Sequence, residues 1–134
     1  MTMTTSAVRK LTPVLLVEAV EPCLPFWVDR LGFRKTVEVP EGDRLGFVIL
    51  EKDGIEVMYQ TRSSVTSDIG PLANVQPGQA FLFIEVSDVD AVEVALQGVA
   101  PVIPRRRTFY GMDEVVVREP GGSIVIFAQP VAAG

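Results

Sequence analysis

Two rhythms of apolar residues alternate along this chain, and their order occurs twice. Residues 12–17 have the composition of a strand, and 18–22 lead through a turn to Pro22. Leu24, Trp27, Val28 and Leu31 then recur at the three- and four-residue spacing of one helix face. Pro25 suits only the first turn of a helix, so the regular helix is expected to begin near Leu24. Gly32, which accepts the left-handed conformation without a side-chain clash, is expected to end it. Strand segments follow at 33–39, 45–50 and 55–60, separated by Pro40-Glu41-Gly42-Asp43 and by Lys52-Asp53-Gly54. Asp-Gly is among the most favourable hairpin pairs, so the last two segments are predicted to run antiparallel.

The stretch 61–78 spreads Ser, Pro, Gly and Asn among few large apolar residues and reads as a linker, long enough to lie over a cleft. Beyond it the first order returns. A strand covers 80–86, and Ser87 with Asp90 resembles a capping box in which the serine accepts backbone hydrogen bonds. Val89, Val92, Ala95 and Leu96 form the inward face of a helix that stops at Gly98. An extended piece at Val102 and Ile103 precedes Pro104 and Arg105-Arg106-Arg107, and 115–118 with 123–128 close a hairpin across Glu119-Pro120-Gly121-Gly122. The ends, 1–10 and 130–134, are expected to be loose. The pattern gives one domain with a βαβββ module at 11–60, a linker at 61–78 and a second βαβββ module at 79–129. A helix protects only one face of its sheet, so the uncovered faces must curve around common space. The expected fold is therefore α+β, two modules whose mixed sheets enclose a cleft.

Composition narrows the chemistry. With 134 residues the chain fits one domain able to bury a sizeable core. The formal charge of -5 disfavours nucleic acid and anionic membranes as partners. The arginine run is the local exception and reads as a solvated loop, or alternatively as an anion clamp. No apolar run is long enough to span a bilayer and no signal-peptide pattern opens the chain, which gives a cytoplasmic expectation. Cys23 is the single cysteine, so it forms no intrachain disulfide, and its place beside an apolar helix face suits packing. Histidine is absent, which removes Ser-His-Asp and Cys-His triads, histidine metal ligands and a histidine base.

The string Pro25-Phe26-Trp27-Val28-Asp29-Arg30-Leu31-Gly32-Phe33 resembles the helix and following strand of the glyoxalase, bleomycin-resistance and extradiol-dioxygenase superfamily, also called vicinal oxygen chelate. Tyr110-Gly111-Met112-Asp113-Glu114-Val115-Val116-Val117-Arg118-Glu119-Pro120-Gly121-Gly122 is similar to the last hairpin of its bleomycin-resistance-like branch. The resemblance covers 11–129 and implies the same duplicated fold. It also implies up to four metal-ligand positions, on the first and last strand of each half, which fall here on Thr12, Glu56, Phe81 and Ile126. Only Glu56 offers a charged ligand; Phe81 and Ile126 have no donor atom and a threonine hydroxyl is a poor one. No protein-ligated metal and no other cofactor are expected, and a homodimer is the assembly the resemblance implies.

Strand parity sets Glu56, Met58 and Gln60 on one face, and the resemblance turns that face to the cleft. The same reasoning adds Thr12, Val14 and Leu16, then Phe81, Phe83 and Glu85, then Ile124, Ile126 and Ala128. Such a lining is apolar with a few polar groups, as suits an organic ligand. Glu56 has three open readings: a ligand contact, a structural polar group, or a base whose pKa is raised by burial without a cation. Met58, Phe81 and Phe83 either grip a ligand or pack in the core, Trp27 reads as core, and Phe109 with Tyr110 can form one cleft wall. Metal-independent binding or sequestration of a small organic molecule is the expected function, with no catalytic residue assigned and an acidic chain modestly favouring a cationic ligand. A metal-dependent lyase or dioxygenase and a structural or regulatory protein are the alternatives.

Overall fold

Each half of the chain builds its own four-stranded sheet, and the two sheets have the same topology. The computed structural model describes residues 7, 9–68, 70–72, 74 and 80–131. In the first half β1 (Val14–Val17), β2 (Arg34–Glu41), β3 (Arg44–Lys52) and β4 (Ile55–Thr61) lie in the order β1-β4-β3-β2. In the second, β5 (Phe81–Glu85), β6 (Ile103–Arg107), β7 (Met112–Arg118) and β8 (Ile124–Pro130) lie in the order β5-β8-β7-β6. β1 pairs with β4 and β5 with β8 in parallel, and the other neighbours are antiparallel. The hairpin at Asp53 and Gly54 forms as expected, with φ of 50° and 81° at its two central residues, the left-handed pair that a right-twisted two-residue turn requires.

The first crossover differs from the regular α-helix that the spacing suggests. A 3₁₀ turn, Glu21–Cys23, runs into a π-helix, Pro25–Arg30, and Gly32 at φ 79° ends it, with Phe33 N donating to Trp27 O at 2.9 Å. Pro25 enters at the start, where its missing N–H leaves no bond unmade. The adjacent Phe26 and Trp27 are both buried, and Trp27 stacks edge to face between Phe26 at 5.2 Å and Phe33 at 5.0 Å. Leu24, Val28 and Leu31 are only partly buried. The stripe of Leu24, Trp27, Val28 and Leu31 overlooks Phe26, which the wider i→i+5 winding brings nearer the side of Trp27.

Three further expectations change. The linker begins with the end of β4 and a helix, α1 (Arg62–Asp68), started by Thr61 Oγ1 accepting from Ser64 N at 3.0 Å; a 3₁₀ turn, Gly70–Leu72, follows. The rest of that expected linker, at 69, 73 and 75–79, and the expected loose ends at 1–6, 8 and 132–134 lie outside the described residues. The second crossover helix, α2 (Val89–Ala95), is capped by Asp88, whose Oδ1 accepts from Ala91 N at 3.1 Å, in place of Ser87. Its serine neighbour is one residue too early to reach the first turn. The arginine run is a strand and not a loop: Arg106 lies opposite Glu114 and Arg107 opposite Asp113, so acids on β7 compensate the charges. Pro104 in β6 and Pro40 in β2 both sit on outer strands at register shifts, where no ladder bond is lost.

One hydrophobic cluster joins the modules. Val48, Leu50, Val57 and Tyr59 from the first sheet meet Val115, Val117, Val125 and Phe127 from the second around Trp27, with Val89 and Leu96 of α2. Arg30 of the first module closes the end of α2, its Nη1 donating to Gln97 O at 2.6 Å and Ala95 O at 3.3 Å. Among the described residues no helix is long and apolar enough to cross a membrane.

Candidate small-molecule site

Because Leu15, Val17, Val57, Tyr59, Val125 and Phe127 turn into the core, their strand neighbours turn the other way. Sheet one therefore presents Val14, Leu16, Glu56, Met58 and Gln60, with Thr12 just ahead of β1, and sheet two presents Phe81, Phe83, Glu85, Ile124, Ile126 and Ala128. Val14 is 51% exposed, Phe83 53% and Phe81 75%, so large apolar side chains stand in solvent on these faces. Gln60, Ile124 and Ala128 are buried even so. Gln60 lies under α1, its Nε2 donating to Ser64 Oγ at 3.1 Å.

The four positions suggested for a metal divide between the sheets. Thr12 Oγ1 donates to Glu56 Oε1 at 3.0 Å, and Lys10 Nζ approaches the same oxygen at 3.0 Å. The Lys10 ammonium, then the Thr12 hydroxyl, hold the Glu56 carboxyl below the usual carboxylate range. This corrects the reading of Glu56 as a base raised by burial without a cation, because a cation is beside it. Phe81 and Ile126 line a hollow on the other sheet. The donor set does not fit a metal: one face offers a threonine and a lysine-paired carboxylate, and the other two hydrocarbon side chains. Among the described residues no three His, Cys, Asp or Glu side chains converge.

That second-sheet hollow has a volume of about 390 Å³, and the described residues that line it all belong to the second module. Phe81, Ile103, Val116, Ile124 and Ile126 make its apolar surface. Its polar side is built on Glu114, which the parity of β7 puts on the same face as Val116. Glu114 is 2% exposed, and both oxygens are engaged: Oε1 accepts from Arg106 Nη2 at 2.9 Å and Nε at 3.2 Å, and Oε2 from Tyr110 Oη at 2.9 Å. That bond to a carboxylate pushes the Tyr110 hydroxyl upward. Tyr110 is a wall of the hollow, whereas Phe109 is 99% exposed and touches Tyr110 edge to face at 5.0 Å without lining it.

Neither Glu114 nor Arg106 stands out in the sequence. The signal lies in their cross-strand pairing, which is visible only once the arginines are placed on a strand. Two further hollows elsewhere among the described residues bear on the choice. One, of about 470 Å³, lies between sheet one and α1 and includes Phe47, Gln60 and Ser64 but not Glu56 or Met58. The other, of about 290 Å³, opens at the module junction, where Phe33, Ile84 and Phe127 are the margin of the shared core.

A family model described as the Glyoxalase/Bleomycin resistance protein/Dioxygenase superfamily matches residues 11–127. Among curated protein sequences none matches. A solved glyoxalase/bleomycin resistance protein/dioxygenase from Nocardioides is 16% identical, with a TM-score of 0.73 over 97% of this chain and 89% of that one. A lactoylglutathione lyase from Agrobacterium tumefaciens is also 16% identical, with a TM-score of 0.73 over 94% of this chain and 95% of its own. A bleomycin-binding protein from bleomycin-producing Streptomyces verticillus, solved with copper(II)-bleomycin, is 26% identical, with a TM-score of 0.61 over 97% of this chain and 100% of its own. Backbone similarity and sequence identity thus rank these relatives in opposite orders.

Proposed function

The chain belongs to the Glyoxalase/Bleomycin resistance protein/Dioxygenase superfamily, and on that premise we propose that it binds and sequesters a small organic molecule on the open faces of its sheets, without a protein-ligated metal. The observation that carries this reading is the second-sheet hollow, an apolar surface around one hydrogen-bonded group, Arg106-Glu114-Tyr110. Apolar contact removes ligand surface from water at about 25 cal/mol per Å², while a few fixed polar groups set orientation. The donor set supports the metal-free part, since Glu56 is committed to Lys10 and Thr12. The similarity to a bleomycin-binding protein favours sequestration over turnover.

The assembly that fits this function is a homodimer. The open face of sheet one, with Thr12, Glu56 and Met58, would cover the open face of sheet two, with Phe81, Phe83 and Ile126, from a second copy. Exposed phenylalanines support it, because a monomer gains nothing from leaving them in water. Nucleic acid is a poor partner: Arg105 contacts Asp90 at 2.7 Å and Glu93 at 2.6 Å, Arg106 contacts Glu114, and Arg107 contacts Asp113.

Native mass spectrometry of protein purified gently and without chelator tests the proposal. A retained organic mass, lost on denaturation, is the expected result. A stoichiometric transition metal that supports turnover would overturn it in favour of a lyase or dioxygenase.

A further inference from the structure

The charges around the second-sheet hollow do not sum to zero. Arg106 is neutralised by the buried Glu114, whose other oxygen is taken by Tyr110. Arg118 also lines the hollow, is exposed, and makes one protein hydrogen bond, from Nη1 to the Gly122 carbonyl at 3.0 Å. Among the described residues it has no carboxylate partner. A chain whose overall charge is -5 therefore sets an uncompensated cation against an apolar surface.

Strand register fixes what lies between. Arg118 pairs with Ile124, and Ile124 pairs with Phe81, so the three form one row across β7, β8 and β5 on the same face. With neighbouring strands about 4.8 Å apart, the Arg118 and Phe81 backbones are roughly 10 Å from one another. The next row holds Phe83, Ile126, Val116 and Ile103, all hydrocarbon. A flat ring resting on Ile124 and Ile126 beside Phe81 would carry a substituent over β7 to the guanidinium. Guanidinium groups bind carboxylates through paired hydrogen bonds, whereas an ammonium group there would meet a like charge.

We propose that the second-module hollow takes a small aromatic carboxylate, its ring on Ile124 and Ile126 beside Phe81 and its carboxylate on Arg118. The inference deepens the small-molecule reading and rests on it. It assigns a ligand sign opposite to the one the overall charge suggests, because screening confines the chain's distant acids while Arg118 acts at contact.

The test titrates isotope-labelled full-length protein by NMR with three probes of one shape: 2-naphthoate, 2-naphthamide and 2-naphthylmethylammonium. The expected result is that naphthoate binds about five- to tenfold more tightly than the amide and the ammonium most weakly. Amide shifts should centre on residues 81, 116, 118, 124 and 126. Arg118→Gln should bring naphthoate down to the affinity of the amide and leave the amide unchanged. Equal binding of amide and naphthoate, an unaltered preference in Arg118→Gln, or shifts centred elsewhere would overturn the carboxylate assignment and leave a general organic site standing. Failure of all three probes to bind would overturn both readings.

Discussion

Tyr59 Oη donates to Glu119 Oε2 at 2.8 Å, and this bond joins β4 of the first module to the turn that opens the last hairpin of the second. Both residues are buried. Trp27 Nε1 donates to the same hydroxyl at 2.8 Å, and Glu119 also accepts from Gly121 N at 2.6 Å and Ser123 N at 2.7 Å. The crossover helix of one module is therefore tied to the closing turn of the other through one tyrosine. A carboxylate taken out of water is tolerable there because three protein donors take the place of solvent.

Tyr59→Phe should remove one charge-assisted bond and leave the Trp27 indole N–H without its acceptor. The expected loss is about 2–3 kcal/mol, read as a lower urea midpoint with an unchanged slope. A change below about 0.5 kcal/mol would show that the bonds do not couple the modules energetically.

Gly121→Ala tests the other side of the same carboxylate. A Cβ at Gly121 would stand 2.9 Å from Glu119 Oε1 and 3.0 Å from Val17 Cγ1, and Glu119 is held by too many bonds to move aside. Destabilisation of about 1–3 kcal/mol is expected. Thermal unfolding beside Gly54→Ala, where a Cβ meets nothing within 4 Å but φ is 81°, separates crowding from backbone strain.

Alkaline pH should loosen the fold. Burial, then the Glu119 charge, push the Cys23 thiol up from 9.0 to about 12, and burial with the same charge pushes the Tyr59 hydroxyl upward. Both groups have folded pKa values above their unfolded ones, so their contribution is intact below the unfolded values and declines as pH rises through the folded ones. For Cys23 that window runs from 9.0 to about 12. Urea midpoints measured across it should fall, and less steeply in Cys23→Ala. A thiol reagent at about pH 8 should label Cys23 only as fast as the protein opens.

Much of the architecture could be read in advance because glycine and period-two signals act locally. Asp53-Gly54, Gly32 and Gly98 stand where the backbone needs a positive φ, and strand parity sorted Val57 and Tyr59 from Glu56 and Met58. The errors arose where tertiary partners override local preference. Arg105-Arg106-Arg107 reads as a loop until Asp113 and Glu114 arrive from β7 and pair it as a strand that stays exposed, and Glu114 has no role until Arg106 and Tyr110 enclose it. Glu56 keeps three readings open in the sequence because Lys10 sits in what looks like a loose tail, and the pairing removes only that of a raised base. Phe81, Phe83, Met58 and Thr12 all turn from the core, yet Thr12 and Met58 belong to a different open face from the phenylalanines.

That division leads to the last expectation, which concerns assembly. Phe83 is 53% exposed on the open face of sheet two and does not line the 390 Å³ hollow, so it can be changed without touching the proposed ligand contacts. Covering one such side chain contributes roughly 1.5–3 kcal/mol, and a stable interface of about 1,200–2,000 Å² would cover Val14 as well. Phe83→Glu replaces that contact with a charge which a dimer would have to desolvate and a monomer would not. Light scattering behind size exclusion should show the wild type at dimer mass and Phe83→Glu at monomer mass, with the same near-ultraviolet dichroism. A variant that remains dimeric would place the contact elsewhere, and a wild type that runs as a monomer at tens of micromolar would overturn the dimer and leave the two open faces to work as separate surfaces.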